Sequence, residues 1–210
     1  MNKFLFITDF DGTITAQDFF LQILYRYEHE KIFSPKKKSG VELLSDVLEN
    51  SNLSEIEFIE EIKHIPMDKE FIYFSDFIKK QGLDLLILSA GSSYYIEKKL
   101  YFEGVKNFKL LSNGGAFVDG NFKFLANEDE KFFCPVYGID KEKVVLFYKK
   151  KYDRIFYAGD SVVDFYAAKL ADYIFAKKKL AEILKMFKID FFEFKNFKDI
   201  QKQTINLLKC

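Results

Sequence analysis

The sequence contains few cysteines, has no net charge and lacks a long apolar run. Its two cysteines, Cys134 and Cys210, are too few for a disulfide framework and favour a reduced, intracellular setting. The 32 Lys and Arg residues balance the 32 Asp and Glu residues, so there is no excess positive field for nucleic acid or an anionic membrane. No stretch approaches the roughly 18 apolar residues that a membrane span needs. These absences predict a cytoplasmic protein with no nucleic-acid or membrane partner.

The composition supplies enough apolar material for a sizeable core. Hydrophobic residues make up 49% of the chain and charged residues 30%, a balance that excludes intrinsic disorder. The 26 Phe and 12 Tyr residues are unusually many, and we expect most of these rings in the core rather than in a ligand-binding box. At about 150 residues per domain, the length suggests one large domain or one domain with an insertion.

Apolar strands alternate with helices along most of the chain. Strands are predicted over 3–8, 84–89, 154–158 and 173–176, and a helix follows each of the last three. This alternation predicts an α/β fold, in which helices cover both faces of a parallel sheet. The Asp119-Gly120 pair between apolar runs predicts a small β-hairpin.

Helical periodicity interrupts this pattern once, after the first strand. Apolar residues recur at helical spacing from about Asp18 to Gln81, and Ser54 with Glu57 forms a candidate capping box. We therefore predict about four helices here, forming a helical lobe inserted into the α/β domain. The predicted division assigns 1–15 and 82–210 to the core and 16–81 to the inserted lobe.

Polar residues follow three of the predicted strands at the point where each strand ends. In strand order, they are Asp9 and Asp11, then Ser89, Ala90 and Gly91, then Asp160 and Asp164. The carboxyl ends of the strands in a parallel α/β sheet form the ligand-binding crevice. A helix cap explains a single Ser or Asp, but two close carboxylates repel each other and indicate a divalent cation such as Mg²⁺.

These residues resemble the four signature motifs of the haloacid-dehalogenase (HAD) superfamily. The segment 9–13 (Asp-Phe-Asp-Gly-Thr), Ser89, a lysine and the segment 159–164 occur in the order of those motifs. The resemblance implies a three-layer, Rossmann-like core and Mg²⁺-dependent phosphoryl chemistry. Asp11 favours a phosphatase over a dehalogenase, because a halide leaving group needs no proton. The inserted lobe resembles the cap of phosphoserine phosphatases, which closes over the site and contacts the leaving group, so that it determines substrate specificity.

The resemblance also implies catalytic roles. Asp9 would attack phosphorus and become an aspartyl phosphate. Asp11 would protonate the leaving oxygen, and we expect nearby Asp9 and the substrate dianion to raise its pKa. Lys141, which opens a predicted helix, would neutralise charge between Asp9 and the phosphate, and Lys143 is its rival for this role.

The remaining motif residues would bind the phosphoryl group and the metal. Ser89 and the N–H groups near Ala90 and Gly91, at the start of a helix, would hold phosphoryl oxygens. Thr13 would support the loop and contact the same group. The implied Mg²⁺ ligands are Asp9, the backbone carbonyl of Asp11, Asp160 and, through water or by orienting its neighbours, Asp164.

Several leaving groups are compatible with the sequence. The core motifs resemble those of the methionine-salvage phosphatases, which act on 2-hydroxy-3-keto-5-methylthiopentenyl-1-phosphate. Asp18 either caps a helix or meets a substrate amine, so phosphoserine, phosphocholine and phosphoethanolamine are alternatives. A phosphotransferase and a catalytically silent binding protein are further alternatives. For the assembly we expect a monomer or a homodimer that binds a small phosphorylated metabolite.

Overall fold

The computed structural model describes residues 3–27 and 39–208. Its strands are β1 (Phe4–Thr8), β2 (Asp84–Ser92), β3 (Lys109–Val118), β4 (Asn121–Leu125), β5 (Phe133–Cys134), β6 (Gly138–Ile139), β7 (Arg154–Gly159), β8 (Tyr173–Ala176) and β9 (Phe192–Glu193). Its helices are α1 (Phe19–Arg26), α2 (Gly40–Glu49), α3 (Glu55–His64), α4 (Glu70–Lys80), α5 (Ser93–Phe102), α6 (Lys141–Lys149), α7 (Phe165–Ala168), α8 (Lys178–Met186) and α9 (Phe197–Leu207). Within the described ranges, no helix is both long and apolar enough to span a bilayer.

The central sheet confirms the predicted α/β fold. Its strand order is β4-β3-β2-β1-β7-β8-β9, and every pairing except β3–β4 is parallel. The β3–β4 pair is the predicted hairpin, and its turn residues Asp119 and Gly120 have φ values of 51° and 78°. Because β1 pairs with β2 on one side and β7 on the other, the three strands that end in motif residues are adjacent.

Alternating side chains of the sheet build a core on each face. On one face, Phe6 of β1 stacks on Phe156 of β7 and Phe175 of β8, with ring centroids 5.9 and 5.8 Å apart. On the other face, Leu5 and Ile7 are fully buried. Burying one such side chain contributes roughly 1.5–3 kcal/mol. The rings of β1, β7 and β8 therefore serve the core, as the composition predicted.

Helix α3 begins as the sequence predicted. Ser54 caps α3 and forms the expected box, in which the Ser54 N–H donates to Glu57 Oε2 at 2.9 Å. An equivalent box joins Ser39 and Glu42 at the start of α2. Part of the predicted lobe, residues 28–38, lies outside the described residues.

Helix α4 packs on the sheet rather than on the other inserted helices. Its Phe74 lies 4.8 Å from Phe6 of β1 and 5.1 Å from Phe197 of α9, measured between ring centroids. Ahead of α4, Thr15 and Met67 form an antiparallel bridge where the chain leaves and re-enters the α/β layer. The division at residue 81 stays a prediction, and the packing of α4 favours a boundary near this bridge.

Candidate active site

The adjacent ends of β1, β2 and β7 surround a cavity of about 480 Å³. The predicted site residues that line it are Asp9, Asp11, Asp18, Ser89, Ala90, Gly91, Lys141 and Asp160. The other two, Thr13 and Asp164, are fully buried and contact residues of the lining. Leu21 of α1 and Leu44 of α2 add apolar surface from the inserted helices. The fold thus brings the predicted residues into one site.

Lys141 forms the centre of an ion-pair cluster. Its Nζ donates to Asp9 Oδ1 at 2.6 Å and to Asp164 Oδ1 at 2.7 Å. Burial alone would lower the pKa of Lys141, but the charges of Asp164 and Asp9 raise it above its ordinary value. Lys143 is half-exposed and donates to the Phe133 carbonyl oxygen. The geometry therefore favours Lys141 over Lys143 as the motif lysine.

Burial also acts on the predicted nucleophile. Asp9 is 4% exposed, and this burial raises the pKa of its carboxyl group, while the charge of Lys141 opposes the shift. Its second oxygen, Oδ2, accepts a hydrogen bond from the Thr13 hydroxyl at 3.0 Å. Asp9 is therefore oriented at both oxygens.

Asp164 accepts hydrogen bonds at both oxygens. Its Oδ1 accepts from Lys141 and from the Tyr157 hydroxyl, the latter at 2.8 Å. Its Oδ2 accepts from the Ser161 N–H and hydroxyl, both at 3.0 Å, and from the Asp160 N–H at 3.2 Å. Burial opposes its ionisation, but Lys141 and the other donors hold the pKa of Asp164 below its usual range. This arrangement favours the orienting role for Asp164, and a role as metal ligand stays a prediction.

Asp11 lies between the core and the inserted helices. Its Oδ1 accepts from the Phe19 N–H at 3.1 Å, and its Oδ2 accepts from the Tyr95 hydroxyl at 2.5 Å. Burial and then the charge of Asp18 raise the pKa of Asp11 to about 7. The charges predicted to raise this pKa were those of Asp9 and the substrate dianion. In the fold the leading charged neighbour is Asp18, because the start of α1 turns back towards Asp11.

The segment after β2 differs from the expected helix start. Strand β2 continues to Ser92, and α5 begins at Ser93, so Ala90 and Gly91 precede the helix rather than open it. The Gly91 N–H donates to Ser89 Oγ at 2.9 Å, which fixes the serine side chain at the cavity. Ser92 caps the helix instead, accepting from the Tyr94 N–H.

The position of Asp18 is compatible with both predicted roles, as a helix cap and as a contact for a substrate amine. It is the N-cap of α1 and accepts from the Leu21 N–H at 3.4 Å, so the helix-cap interpretation is confirmed. It also lines the cavity, and burial raises the pKa of its carboxyl group. Contact with a substrate amine stays a prediction.

The buried carboxylates form a group that can hold a metal ion. Oxygens of Asp9, Asp160 and Asp164 all lie within 4.8 Å of one another. The Thr13 hydroxyl is shared between Asp9 Oδ2 at 3.0 Å and Asp160 Oδ1 at 3.4 Å. Several carboxylate oxygens in a buried cluster are the donor set that a hard divalent cation takes. The residues present therefore fit such a cation.

Lys178 and Tyr95 line the cavity but were not among the predicted site residues. Lys178, the first residue of α8, donates to Asp160 Oδ2 at 2.9 Å and to the Gly12 carbonyl oxygen at 3.0 Å. The position of Lys178 in the sequence could have indicated this role, because it follows β8 at the same edge of the sheet. Tyr95 is the third residue of α5, and its position in the sequence does not distinguish it from an ordinary residue of the hydrophobic core.

The sheet topology and the cluster at the strand ends match one kind of enzyme. A parallel sheet with a carboxylate–lysine cluster at its carboxyl edge is the arrangement of HAD-type phosphatases, as the motifs predicted. The chain belongs to the Putative Phosphatase family, whose model matches residues 4–203.

Three relatives align with nearly the whole chain. Pdp3-interacting factor 1 of Schizosaccharomyces pombe is 30% identical over 95% of this chain and 94% of its own length. The 2-hydroxy-3-keto-5-methylthiopentenyl-1-phosphate phosphatase of Brevibacillus brevis is 26% identical, covering 94% of this chain and 93% of the relative. The polyol phosphate phosphatase of Saccharomyces cerevisiae is 28% identical, covering 95% and 92%. The predicted resemblance to methionine-salvage phosphatases is thus confirmed.

Solved structures share the fold. A crystal structure of phosphoserine phosphatase in its apo form superposes with a TM-score of 0.69 at 18% identity, covering 96% of this chain and 98% of that chain. At this identity the likeness establishes the architecture, and the leaving group has to be argued from the cavity.

Proposed function

We propose that this protein is a Mg²⁺-dependent phosphomonoesterase that hydrolyses a small phosphorylated metabolite through an aspartyl phosphate on Asp9. The observation that carries the proposal is the buried Asp9 carboxylate, held by Lys141 at 2.6 Å beside Asp160 and Asp164. Asp11 faces the same cavity, and its carboxyl group has a pKa of about 7. An ion pair that served only to stabilise the fold would not explain this second carboxyl group.

The proposed reaction has two displacements at phosphorus. An Asp9 oxygen forms a bond to phosphorus while the ester oxygen leaves, and Asp11 gives that oxygen a proton. Asp11 then takes a proton from water, whose oxygen attacks phosphorus and releases inorganic phosphate and free Asp9. Lys141 stabilises charge on Asp9 and the phosphoryl oxygens, and Ser89 binds those oxygens.

A divalent cation would be held by Asp9, the Asp11 carbonyl oxygen and Asp160, and when bound it would neutralise phosphoryl charge. Uncatalysed hydrolysis of phosphate monoesters requires up to ~10²¹-fold acceleration, whereas general acid catalysis supplies only ~10²–10⁴. The nucleophile and the surrounding charges therefore carry most of the expected effect.

The cavity supports a methylthio-ketopentenyl phosphate as the leading substrate candidate. Beyond the carboxylates it is lined by Leu21 and Leu44, which offer apolar contact, and by the Gln17 amide. This mixture suits a leaving group with polar oxygens and an apolar tail, such as the substrate named for the Brevibacillus brevis relative. Asp18 favours an amine-bearing alternative, namely phosphoserine, phosphocholine or phosphoethanolamine. The yeast relative adds polyol phosphates to the candidates.

The test is phosphate release from these compounds with Mg²⁺ and with EDTA. We expect the wild type to release phosphate only with Mg²⁺, and Asp9→Asn to lose activity because the amide cannot form the acyl phosphate. Asp76→Asn, the same change at an exposed aspartate, is the matched control and should keep wild-type rates. An added alcohol acceptor distinguishes hydrolysis from phosphotransfer by the products.

Three outcomes contradict the proposal. If no compound releases phosphate, or if Asp9→Asn remains as active as Asp76→Asn, Asp9 is not the nucleophile of a phosphatase. If release proceeds equally in EDTA, the carboxylate cluster does not serve a divalent cation. The highest kcat/KM among the compounds identifies the leaving group.

A further inference from the structure

The Tyr95 hydroxyl contacts Asp11 from within the core. The side chain is 1% exposed, and its ring packs against Phe19 at 4.6 Å and Phe10 at 6.2 Å between centroids. Its hydroxyl nevertheless reaches the cavity and donates to Asp11 Oδ2 at 2.5 Å. A buried tyrosine hydroxyl needs a polar partner, and here that partner is a carboxyl group of the site.

Gly91 provides the space for this contact. A Cβ atom at Gly91 would lie 1.7 Å from the Tyr95 hydroxyl oxygen and 2.8 Å from Asp11 Oδ2. Any other residue at position 91 would therefore displace the hydroxyl or the carboxylate. The Tyr95–Asp11 hydrogen bond is therefore possible because Gly91 has no side chain.

The hydrogen bonds of Asp11 come from separate elements. Oδ1 accepts from the Phe19 N–H at the start of α1, and Oδ2 accepts from Tyr95 of α5. The Ser89 hydroxyl is 3.5 Å from Oδ2, at the limit of a hydrogen bond. Tyr95 is therefore the close side-chain donor that sets the orientation of the Asp11 carboxyl plane among the described residues.

We propose that Tyr95 is a positioning residue that holds Asp11 in the orientation needed to pass a proton to the leaving oxygen. The inference rests on the proposed function, because it assigns Tyr95 to the acid step. Proton transfer depends steeply on geometry, so a carboxyl group that rotates freely would spend less time aligned. The effect should then depend on how much the leaving group needs a proton.

The experiment compares Tyr95→Phe with wild type on two kinds of substrate. On an alkyl phosphate, we expect kcat to fall about tenfold with KM unchanged, because only the hydroxyl is removed. On p-nitrophenyl phosphate, whose leaving group needs no proton, the loss should stay below about twofold. Tyr94→Phe is the matched control, since the Tyr94 hydroxyl donates to Glu55 at 2.5 Å, outside the cavity.

A second variant separates positioning from general loosening of the site. In an Asp11→Asn background, adding Tyr95→Phe should cause no further loss, because the acid it positions is gone. Equal losses on both substrates, or additive losses in the double variant, overturn the inference and leave the proposed function intact. If the wild type releases no phosphate, or Asp9→Asn still does, the proposed function fails and this inference fails with it.

Discussion

At the scale of the residue, Lys141 provides the positive charge that opposes the effect of burial on the Asp9 and Asp164 carboxylates. Among the residues that the structure describes, it is the cation that pairs with both Asp9 and Asp164, and its side chain is 4% exposed. Unpaired charges in such a place cost several kcal/mol, so this lysine carries a stabilising role as well as its predicted catalytic one. Replacing Lys141 should therefore affect both catalysis and folding stability.

We expect Lys141→Met to remove activity and lower stability together. Loss of the Lys141 amino group should reduce kcat by at least ~100-fold, because it stabilises the charge that develops in the transition state. It should also lower the free energy of unfolding by about 3–5 kcal/mol, because the buried carboxylates lose their cation. The measurements are phosphate release and urea unfolding. Lys143→Met is the control, since its side chain is 49% exposed and should tolerate the change. Full activity in Lys141→Met would contradict the assignment of the motif lysine.

At the scale of the element, one buried carboxylate joins α1 to α3. Glu61 of α3 is 6% exposed and accepts hydrogen bonds from three residues of the α1 segment. The donors are Arg26 Nη1 at 2.5 Å, the Tyr27 hydroxyl at 2.9 Å and Gln22 Nε2 at 3.0 Å. Burial opposes ionisation, but these donors hold the pKa of Glu61 below its ordinary value.

This network predicts a pH-dependent contribution to stability. Because the folded-state pKa is lowered, the stabilisation is present above the unfolded value of about 4.3 and is lost as the pH falls through the folded pKa. Glu61→Gln should therefore cost about 1–3 kcal/mol at neutral pH and less near pH ~3, below the unfolded value. Urea unfolding at both pH values measures the difference. Glu60→Gln, at an exposed neighbour, is the control, and an equal cost of Glu61→Gln at both pH values would refute the argument.

At the scale of the whole molecule, α2 is fastened to the α/β core near both of its ends. The Val41 N–H donates to the Val136 carbonyl oxygen at 2.9 Å. Glu49, at the other end, accepts from the Phe124 N–H at 3.1 Å and pairs with Lys123 at 3.1 Å. Since Leu44 of α2 lines the cavity, these contacts set one wall of the proposed substrate site.

Glu49→Ala should loosen this attachment without unfolding the sheet. We expect faster amide hydrogen exchange in α2 and β4, unchanged exchange in β1 and β7, and a cost of about 1 kcal/mol. Glu97→Ala, at an exposed position of α5, is the control. Unchanged exchange in α2 would show that apolar packing alone holds the helix in place.

Much of the site was predictable because its residues follow strands whose apolar patterns are unambiguous. Once β1, β2 and β7 are parallel neighbours, Asp9, Ser89 and Asp160 must meet at one edge of the sheet. The capping box at Ser54 and the hairpin at Asp119 are equally local, since each depends on residues within three positions. Local residue patterns are therefore sufficient to specify these features.

Which distant groups complete the site depends on how the elements pack together. Tyr95 meets Asp11 across 84 positions, and Asp18 rather than Asp9 is the leading charge acting on the pKa of Asp11. Lys178 reaches Gly12 across 166 positions. Helix α4 likewise packs on the sheet although its sequence pattern matches that of the inserted helices. Such contacts depend on the relative orientation of packed elements, and periodicity specifies which face of an element is apolar but not what that face meets.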